Sequence, residues 1–177
     1  VSLLKDRFGS VQFLEIGLYG GGTAAGIARR CRDLGCPLTA TGVDCLIKHQ
    51  PDRNLYPNIP ADYDFRLGDS MDVWRQFRDG KKFNLLFVDG CHCVNHAQCD
   101  FLNYSPFVDV GGYTLFHDTA VPTNQYEQEP WPQDHSYAGK DPSKLGVREA
   151  LKKLGLLQGH RTDWKLVEEV PNDTGMM

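Results

Sequence analysis

The sequence predicts an α/β fold built on a doubly wound parallel sheet. Apolar runs that end in Gly or Asp alternate with helix-like stretches, which is typical of βαβ units. The run from Phe83 to Asp89 is apolar over nearly its whole length, as expected of a central strand that helices cover on both faces. A glycine-rich turn follows the first apolar run, Val11 to Gly17. These three observations favour an open sheet whose strand ends carry the functional residues.

Each strand is predicted from an apolar run bounded by turn residues. The predicted strands are Val11 to Gly17, Leu38 to Asp44, Asp64 to Asp69, Phe83 to Asp89, Tyr113 to Asp118 and Trp164 to Val170, with a seventh beginning at Thr174. The chain ends too soon to finish that seventh strand, so we expect a trimmed or naturally minimal core.

The helices are predicted from apolar periodicity and from capping residues. Ser70 is a candidate N-cap for the helix after the third strand. The other predicted helices are Thr23 to Leu34, Val94 to Tyr104 and Gly146 to Gly155. The segment 119–142 is rich in Pro, Gln and Asn and is too long for a simple connector, so it is predicted to be a lid or substrate loop.

Length and charge restrict the class of protein. The 177 residues suit a single domain over 1–177, and 41% of them are hydrophobic, which is enough for a core. The net charge is −4, and no Lys/Arg run provides a surface for nucleic acid or an anionic membrane. No stretch approaches the roughly 20 apolar residues of a membrane span. We therefore expect a cytoplasmic protein with a small-molecule partner.

The glycine turn and its neighbouring acid indicate the charge of the ligand. Glycines are needed where the backbone turns with positive φ or approaches a ligand closely. Glu15 stands at the end of the first strand, where it would repel a pyrophosphate but attract a cationic group. A dinucleotide fingerprint fits only weakly, as Gly20-x-Gly22-x-x-Ala25. The pattern favours a cofactor with a positive head group.

The acid-x-Gly-x-x-x-Gly pattern of Glu15, Gly17 and Gly21 resembles the first motif of class I S-adenosylmethionine-dependent methyltransferases. The resemblance implies a Rossmann-like sheet of strand order 3-2-1-4-5. It also implies that Asp44, at the end of the second strand, accepts hydrogen bonds from the ribose hydroxyls. The cofactor-binding residues implied in this way are Glu15, Gly17, Gly20, Gly21, Asp44, Asp69, Ser70 and Asp89.

A second group of polar residues ends the fourth and fifth strands. Asp89 and His92 follow one strand, and His117 and Asp118 end the next. The carboxyl ends of neighbouring parallel strands meet at one crevice, so these side chains are expected to converge. Two carboxylates and an imidazole suit a divalent metal, with Mg²⁺ or Ca²⁺ favoured by oxygen ligands and Mn²⁺ or Fe²⁺ by a histidine.

The string Phe87-Val88-Asp89-Gly90-x-His92, with Gly111 to Thr119, resembles the metal-dependent O-methyltransferase branch that includes macrocin O-methyltransferase and cephalosporin hydroxylase-like proteins. The resemblance implies methyl transfer to a hydroxyl of a sugar or phenol, with Mg²⁺ or another divalent cation. His92 would be the general base and Asp89 a catalytic residue, while the implied metal ligands are Asp89, His117 and Asp118. His117 stands where relatives often carry another acid. A homo-oligomer is left open.

Three alternatives remain. A nicotinamide-dependent oxidoreductase is disfavoured by Glu15, and a non-catalytic S-adenosylmethionine-binding module is compatible with the same fold. Cys91, Cys93, His96 and Cys99 would offer zinc ligands, but their spacing fits no usual structural zinc site. Buried thiols on one helix face are the favoured interpretation of that string.

Overall fold

The computed structural model describes residues 1–77, 80–119 and 146–167. Five strands form one sheet in the order β3-β2-β1-β4-β5, which confirms the predicted fold class and strand order. The strands are β1 (Val11–Ile16), β2 (Leu38–Asp44), β3 (Asp64–Leu67), β4 (Phe83–Val88) and β5 (Val108–Phe116). The ladders β1–β2, β1–β4 and β2–β3 are parallel.

Five α-helices and three short 3₁₀ turns accompany the strands within the described residues. The α-helices are α1 (Ser2–Phe8), α2 (Gly22–Asp33), α3 (Ser70–Val73), α4 (Val94–Tyr104) and α5 (Val147–Lys153). The 3₁₀ turns are Ile47–His49, Trp74–Phe77 and Ser105–Phe107. Among these helices, none has the length and apolar character that crossing a membrane requires.

The chain divides into two compact units. Unit 1 comprises Val1–Gly90 and Asp100–Leu115, and unit 2 comprises Cys91–Cys99 and Phe116–Met177. Unit 1 contains β1 to β4 complete and most of β5. Unit 2 contains α5, the first residues of α4 and the last residue of β5.

The core of unit 1 follows the two-residue period of its central strands. Phe13, Leu85 and Phe87 pack in one apolar cluster with alanines of α2. The intervening residues, such as Leu14 and Leu86, are equally buried and belong to the opposite face of the sheet. Every residue of β4 is buried, which confirms its predicted central position.

Asn84 is a buried polar residue in this apolar strand. Its side-chain oxygen accepts a hydrogen bond from the Gln12 backbone N–H at 2.9 Å, and its amide donates to the Ser10 carbonyl at 2.9 Å. Both partners lie at the start of β1, and Asn84 is 1% exposed. A single side chain therefore joins the beginnings of two neighbouring strands.

β5 begins five residues earlier than predicted. Paired glycines are typical of turns, but Gly111 and Gly112 both lie inside the strand. Gly111 has φ 85°, and a side chain there would collide with the guanidinium of Arg7, which donates to the Gly111 carbonyl at 2.7 Å. Glycine thus serves close packing at this point instead of ending the strand.

The end of the chain differs from the prediction where it is described. Residues 164–167, the first part of the predicted sixth strand, are not in a strand. Leu166 and Val167 are exposed, so the apolar pattern there does not reflect burial in a sheet. Residues 168–170, the seventh strand from Thr174, and all of the predicted lid except Thr119 lie outside the described residues.

Candidate functional site

The turn after β1 requires glycine at its first position. Gly17 has φ 86°, and its N–H donates to the Val43 carbonyl at 2.9 Å. A Cβ on Gly17 would collide with the main-chain oxygen of Asp89 at the end of β4. The backbone of β1 can therefore pass its neighbour closely only because no side chain is present.

The rest of the turn is also left-handed. Tyr19, Gly20 and Gly21 have φ values of 41°, 88° and 91°. The Gly20 carbonyl accepts a hydrogen bond from the Asp52 N–H at 3.0 Å, which ties this turn to the loop after β2. The turn leads directly into α2, whose first N–H groups lie beside it, as a ligand-binding turn requires.

Glu15 is a buried acid at the end of β1. It is 1% exposed, and burial raises its pKa to about 8, with Asp89 and Asp44 adding to the rise. Hydrogen bonds with Thr23 and Tyr63 act in the opposite direction, the Tyr63 hydroxyl lying 3.3 Å from the carboxylate. The carboxyl is thus held among other acids at a position where a cation would stabilise its charged form.

Asp44 lies at the predicted place and already makes several contacts. One carboxylate oxygen accepts from the Leu18 N–H at 2.9 Å, and the other accepts from the Leu46 N–H at 2.8 Å. His49 Nδ1 lies 3.2 Å from both oxygens. A carboxylate offers about four acceptor positions. Asp44 therefore joins the loops after β1 and β2, and a ribose would have to share it with His49 or replace that ring.

Two of these partners were not predicted from the sequence. His49 and Tyr63 come from the irregular segment between β2 and β3, where no periodic pattern marks a functional position. Tyr63 is 8% exposed, and its ring fills the space above Gly42, where any side chain would collide with it. Burial raises the pKa of Tyr63, so it remains a hydrogen-bond donor to Glu15.

Asp69 and Ser70 form local structure at the end of β3. Asp69, and not Ser70 as predicted, caps α3, its side chain accepting from the Met71 N–H at 2.9 Å. The Ser70 hydroxyl instead donates to Asp100 at 2.6 Å, and its carbonyl accepts from the Tyr104 hydroxyl at 2.9 Å. The Ser70 hydroxyl is therefore occupied by its hydrogen bond to Asp100, a carboxylate with no exposed surface.

Unit 2 contains a cluster of one carboxylate and two imidazoles. The Asp118 carboxylate lies 2.8 Å from His92 Nε2 and 3.1 Å from His117 Nδ1. Asp118 has φ 51°, an uncommon conformation for a residue other than glycine, and its side chain is 7% exposed. The His92 carbonyl accepts from the Gly146 N–H at 3.0 Å, next to the start of α5. A carboxylate at these distances is able to orient an imidazole ring.

The family of the chain follows from comparison with known sequences. A family model described as a methyltransferase domain matches residues 14–119, which include the glycine turn and the five acids at the strand ends, Glu15, Asp44, Asp69, Asp89 and Asp118.

The chain belongs to the methyltransferase domain family. The predicted family is thereby confirmed. No curated protein among those compared matches the chain.

Solved structures similar to this methyltransferase domain share its fold. An O-methyltransferase from Bacillus cereus in complex with SAH has a TM-score of 0.60 and 18% identity, over 86% of this chain and 66% of that one. The MycE methyltransferase of the mycinamycin pathway, in complex with Mg and SAH, has a TM-score of 0.59 and 21% identity, over 99% of this chain and 46% of that one. The SAH-bound Podospora anserina methyltransferase PaMTH1 has a TM-score of 0.61 and 20% identity, over 98% and 72%. The methyltransferase domain thus spans about half the length of MycE.

Proposed function

We propose that the chain is an S-adenosylmethionine-dependent O-methyltransferase assisted by a divalent cation, with both units belonging to one domain over residues 1–177. The observation that carries the proposal is the set of acids in unit 1. Glu15, Asp44 and Asp89 end three adjacent strands, and the latter two raise the pKa of the first. Such a group favours a cationic ligand, and S-adenosylmethionine carries a sulfonium and an ammonium.

The glycine turn supports the position of the cofactor. Gly17, Gly20 and Gly21 hold the backbone in left-handed conformations between β1 and α2. We assign the ribose to Asp44 and the adenine to the region of Asp69 and Ser70. Asp69 uses one oxygen for the α3 cap, and the Ser70 hydroxyl is directed to Asp100, so the Ser70 contact would come from its backbone.

His92 is the proposed general base. Methyl transfer is a displacement in line with the carbon–sulfur bond, so the protein must align donor and acceptor and remove the proton of the hydroxyl. The 2.8 Å separation between His92 Nε2 and Asp118 supports this role, because a carboxylate orients an imidazole and favours its protonated form. In this proposal Asp118 holds the His92 ring through Nε2, and the acceptor's proton is taken at the other ring nitrogen, Nδ1.

The donor set of the same cluster fits a divalent cation. Asp118 is buried, and His117 Nδ1 lies 3.1 Å from it, so oxygen and nitrogen donors are adjacent. Asp89 joins the proposed ligands on the sequence argument, because β4 and β5 are neighbours in the sheet. When bound, a divalent cation would lower the pKa of the acceptor hydroxyl.

The proposed acceptor is a small molecule with a hydroxyl, such as a sugar or a phenol. One similar structure is MycE in complex with Mg, SAH and mycinamycin VI, at 20% identity and a TM-score of 0.60. This likeness supports a small-molecule acceptor and the use of a divalent cation here.

Calorimetry with S-adenosylmethionine tests the proposal. We expect heat of binding for the wild type and none for reduced nicotinamide cofactor. Asp89→Ala is expected to keep measurable, though weaker, cofactor binding, since Glu15, Asp44 and the main-chain contact with Gly17 remain. It is expected to lose cation-dependent formation of S-adenosylhomocysteine from a panel of hydroxylated acceptors.

Asp62→Ala is the matched control, because Asp62 is an exposed aspartate of the same unit. It is expected to retain both binding and turnover. Absence of heat with the wild type would refute the cofactor assignment, while undiminished turnover in Asp89→Ala would refute the metal ligand.

A further inference from the structure

Unit 2 contains a second group of ligand-type side chains, separate in chemistry from the carboxylate cluster. The thiols of Cys91 and Cys93 lie 3.3 Å apart, and His96 Nδ1 lies 3.1 Å from the Cys93 sulfur. All three donor atoms lie within 4.8 Å of one another. Cys99 is not a member of this group, although the spacing of the sequence offered it.

The local fold explains why these atoms converge. Cys93 directly precedes α4, and its carbonyl accepts from the Ala97 N–H at 3.0 Å, so it forms the first turn of the helix. His96 is the third residue of α4 and lies on the same side as Cys93, one turn on. Cys91 lies two residues before Cys93, and its sulfur lies 3.3 Å from the Cys93 sulfur.

The distances come close to those of a tetrahedral metal site. With metal–sulfur bonds of about 2.3 Å, two thiolates of a zinc site are separated by about 3.7 Å. The observed 3.3 Å requires the sulfurs to move apart by roughly 0.4 Å. Cys91 is half-buried and lies before α4, outside the hydrogen-bonded turns of the helix.

The protonation of the group also suits a metal. The hydrogen bond from the Cys91 thiol, followed by contacts with the His96 side chain and backbone, lowers the pKa of Cys93 to about 4 despite its burial. A position at the start of an 11-residue helix acts in the same direction. The Cys91 sulfur and His96 Nδ1 thus already converge on the Cys93 sulfur, as ligands of one metal ion must.

We propose that Cys91, Cys93 and His96 form a site for a thiophilic divalent cation of the Zn²⁺ class, bound by three protein ligands with a fourth position open. Two thiolates and an imidazole select Zn²⁺ over Mg²⁺ or Ca²⁺, which take oxygen ligands. The site is distinct from the oxygen-containing cluster of His92 and Asp118, and it does not depend on the proposed methyl transfer.

Titration of the reduced full chain with Co²⁺, followed by Zn²⁺, tests this site. Thiolate ligands give Co²⁺ a charge-transfer absorption that carboxylate and imidazole ligands do not, so the carboxylate cluster contributes nothing to this signal. We expect the absorption to saturate at about one Co²⁺ per chain and to disappear when Zn²⁺ replaces it.

Cys93→Ser and His96→Gln are expected to weaken Co²⁺ binding at least about tenfold. Replacing even a residue that only hydrogen-bonds to a metal ligand lowers metal affinity about 10–100-fold. Cys99→Ser is the matched control, since it removes a thiol of the same helix and should leave the signal unchanged. Cys91→Ser, at the half-buried position before the helix, gives the same test if Cys93→Ser does not fold.

Absence of the charge-transfer signal in the wild type would overturn the proposal. So would its persistence in both cysteine variants, or an equal loss in Cys99→Ser, which would show a different ligand set.

Discussion

Gly17 is the residue whose identity is most tightly fixed by the site. Its φ of 86° is strained for any side chain, and a Cβ would also collide with the Asp89 carbonyl. The main-chain oxygen of a central strand cannot move aside without disturbing the hydrogen bond from the Asp89 N–H to the Ile16 carbonyl. Strain and collision therefore add at this position.

Gly17→Ala and Gly26→Ala are expected to change stability in opposite directions. Gly17→Ala should lower the free energy of unfolding by at least about 2 kcal/mol. Gly26 is exposed within α2 with nothing near its missing Cβ, so alanine there should raise that free energy by roughly 0.5–1 kcal/mol. Urea denaturation of both variants measures these changes. Equal midpoints for Gly17→Ala and the wild type would contradict the close packing.

At the scale of elements, α3 shows how a short helix depends on its cap. Asp69 is in an extended conformation, and its carboxylate accepts from the Met71 N–H, satisfying one of the first free amides. A helix of one turn has little stability of its own, so its start is fixed by this contact and by the hydrogen bond between Ser70 and Asp100.

Asp69→Ala is expected to lower stability by about 1 kcal/mol, and Asp69→Asn by only a few tenths, since asparagine is as good an N-cap as aspartate. Urea denaturation compares the two with the wild type. An equal loss in both variants would mean that the charge of Asp69, and not its capping, stabilises this region.

The elements also show what the sequence reveals and what it does not. The bounds of β2 and α4 agree with the prediction, because each lies between clear stop signals. α1 was missed, since its seven residues bury only Leu4 and have no side-chain N-cap. The start of β5 was misjudged because Gly111 serves the approach of Arg7, a contact between residues far apart in sequence.

In the candidate site, too, the sequence reveals positions set by local pattern and misses contacts set by the path of a loop. Local pattern places Glu15 and Asp44 at strand ends, as the structure has them, whereas the ribose-binding role of Asp44 comes from the resemblance to methyltransferases. His49 was not, because its contact with Asp44 depends on the path of an irregular loop. The group of Cys91, Cys93 and His96 was discounted on spacing, yet the start of α4 brings the three together.

At the scale of the whole molecule, Glu15 links folding to pH. Its pKa is about 8 in the folded chain and near 4.5 in an ordinary environment, so the folded state binds the proton more tightly. Its contribution to stability is complete below about pH 4.5 and is lost as the pH rises through about 8. The loss is on the order of a few kcal/mol.

Glu15→Gln is expected to remove this part of the pH dependence, because glutamine does not ionise. Denaturation midpoints from about pH 5 to about pH 9 measure the slope for the variant and the wild type. Glu149→Gln on α5 makes the same chemical change at a partly exposed position, where the carboxylate pairs with Lys152, and should keep the wild-type slope. A wild-type slope in Glu15→Gln would show that another group is responsible.

The amide of Asn84 has a consequence for how the sheet assembles. Because β4 is apolar on both faces, a shift of two residues along β1 would bury an equivalent set of side chains, and hydrophobic burial alone would barely distinguish the two arrangements. The shifted chain would leave the amide without Ser10 and Gln12, at a cost of about 1–3 kcal/mol for each unsatisfied group. One polar side chain thereby disfavours the shifted pairing of β1 and β4 during folding. By fixing this register at the start of the two strands, it also fixes where their carboxyl ends lie before any ligand binds.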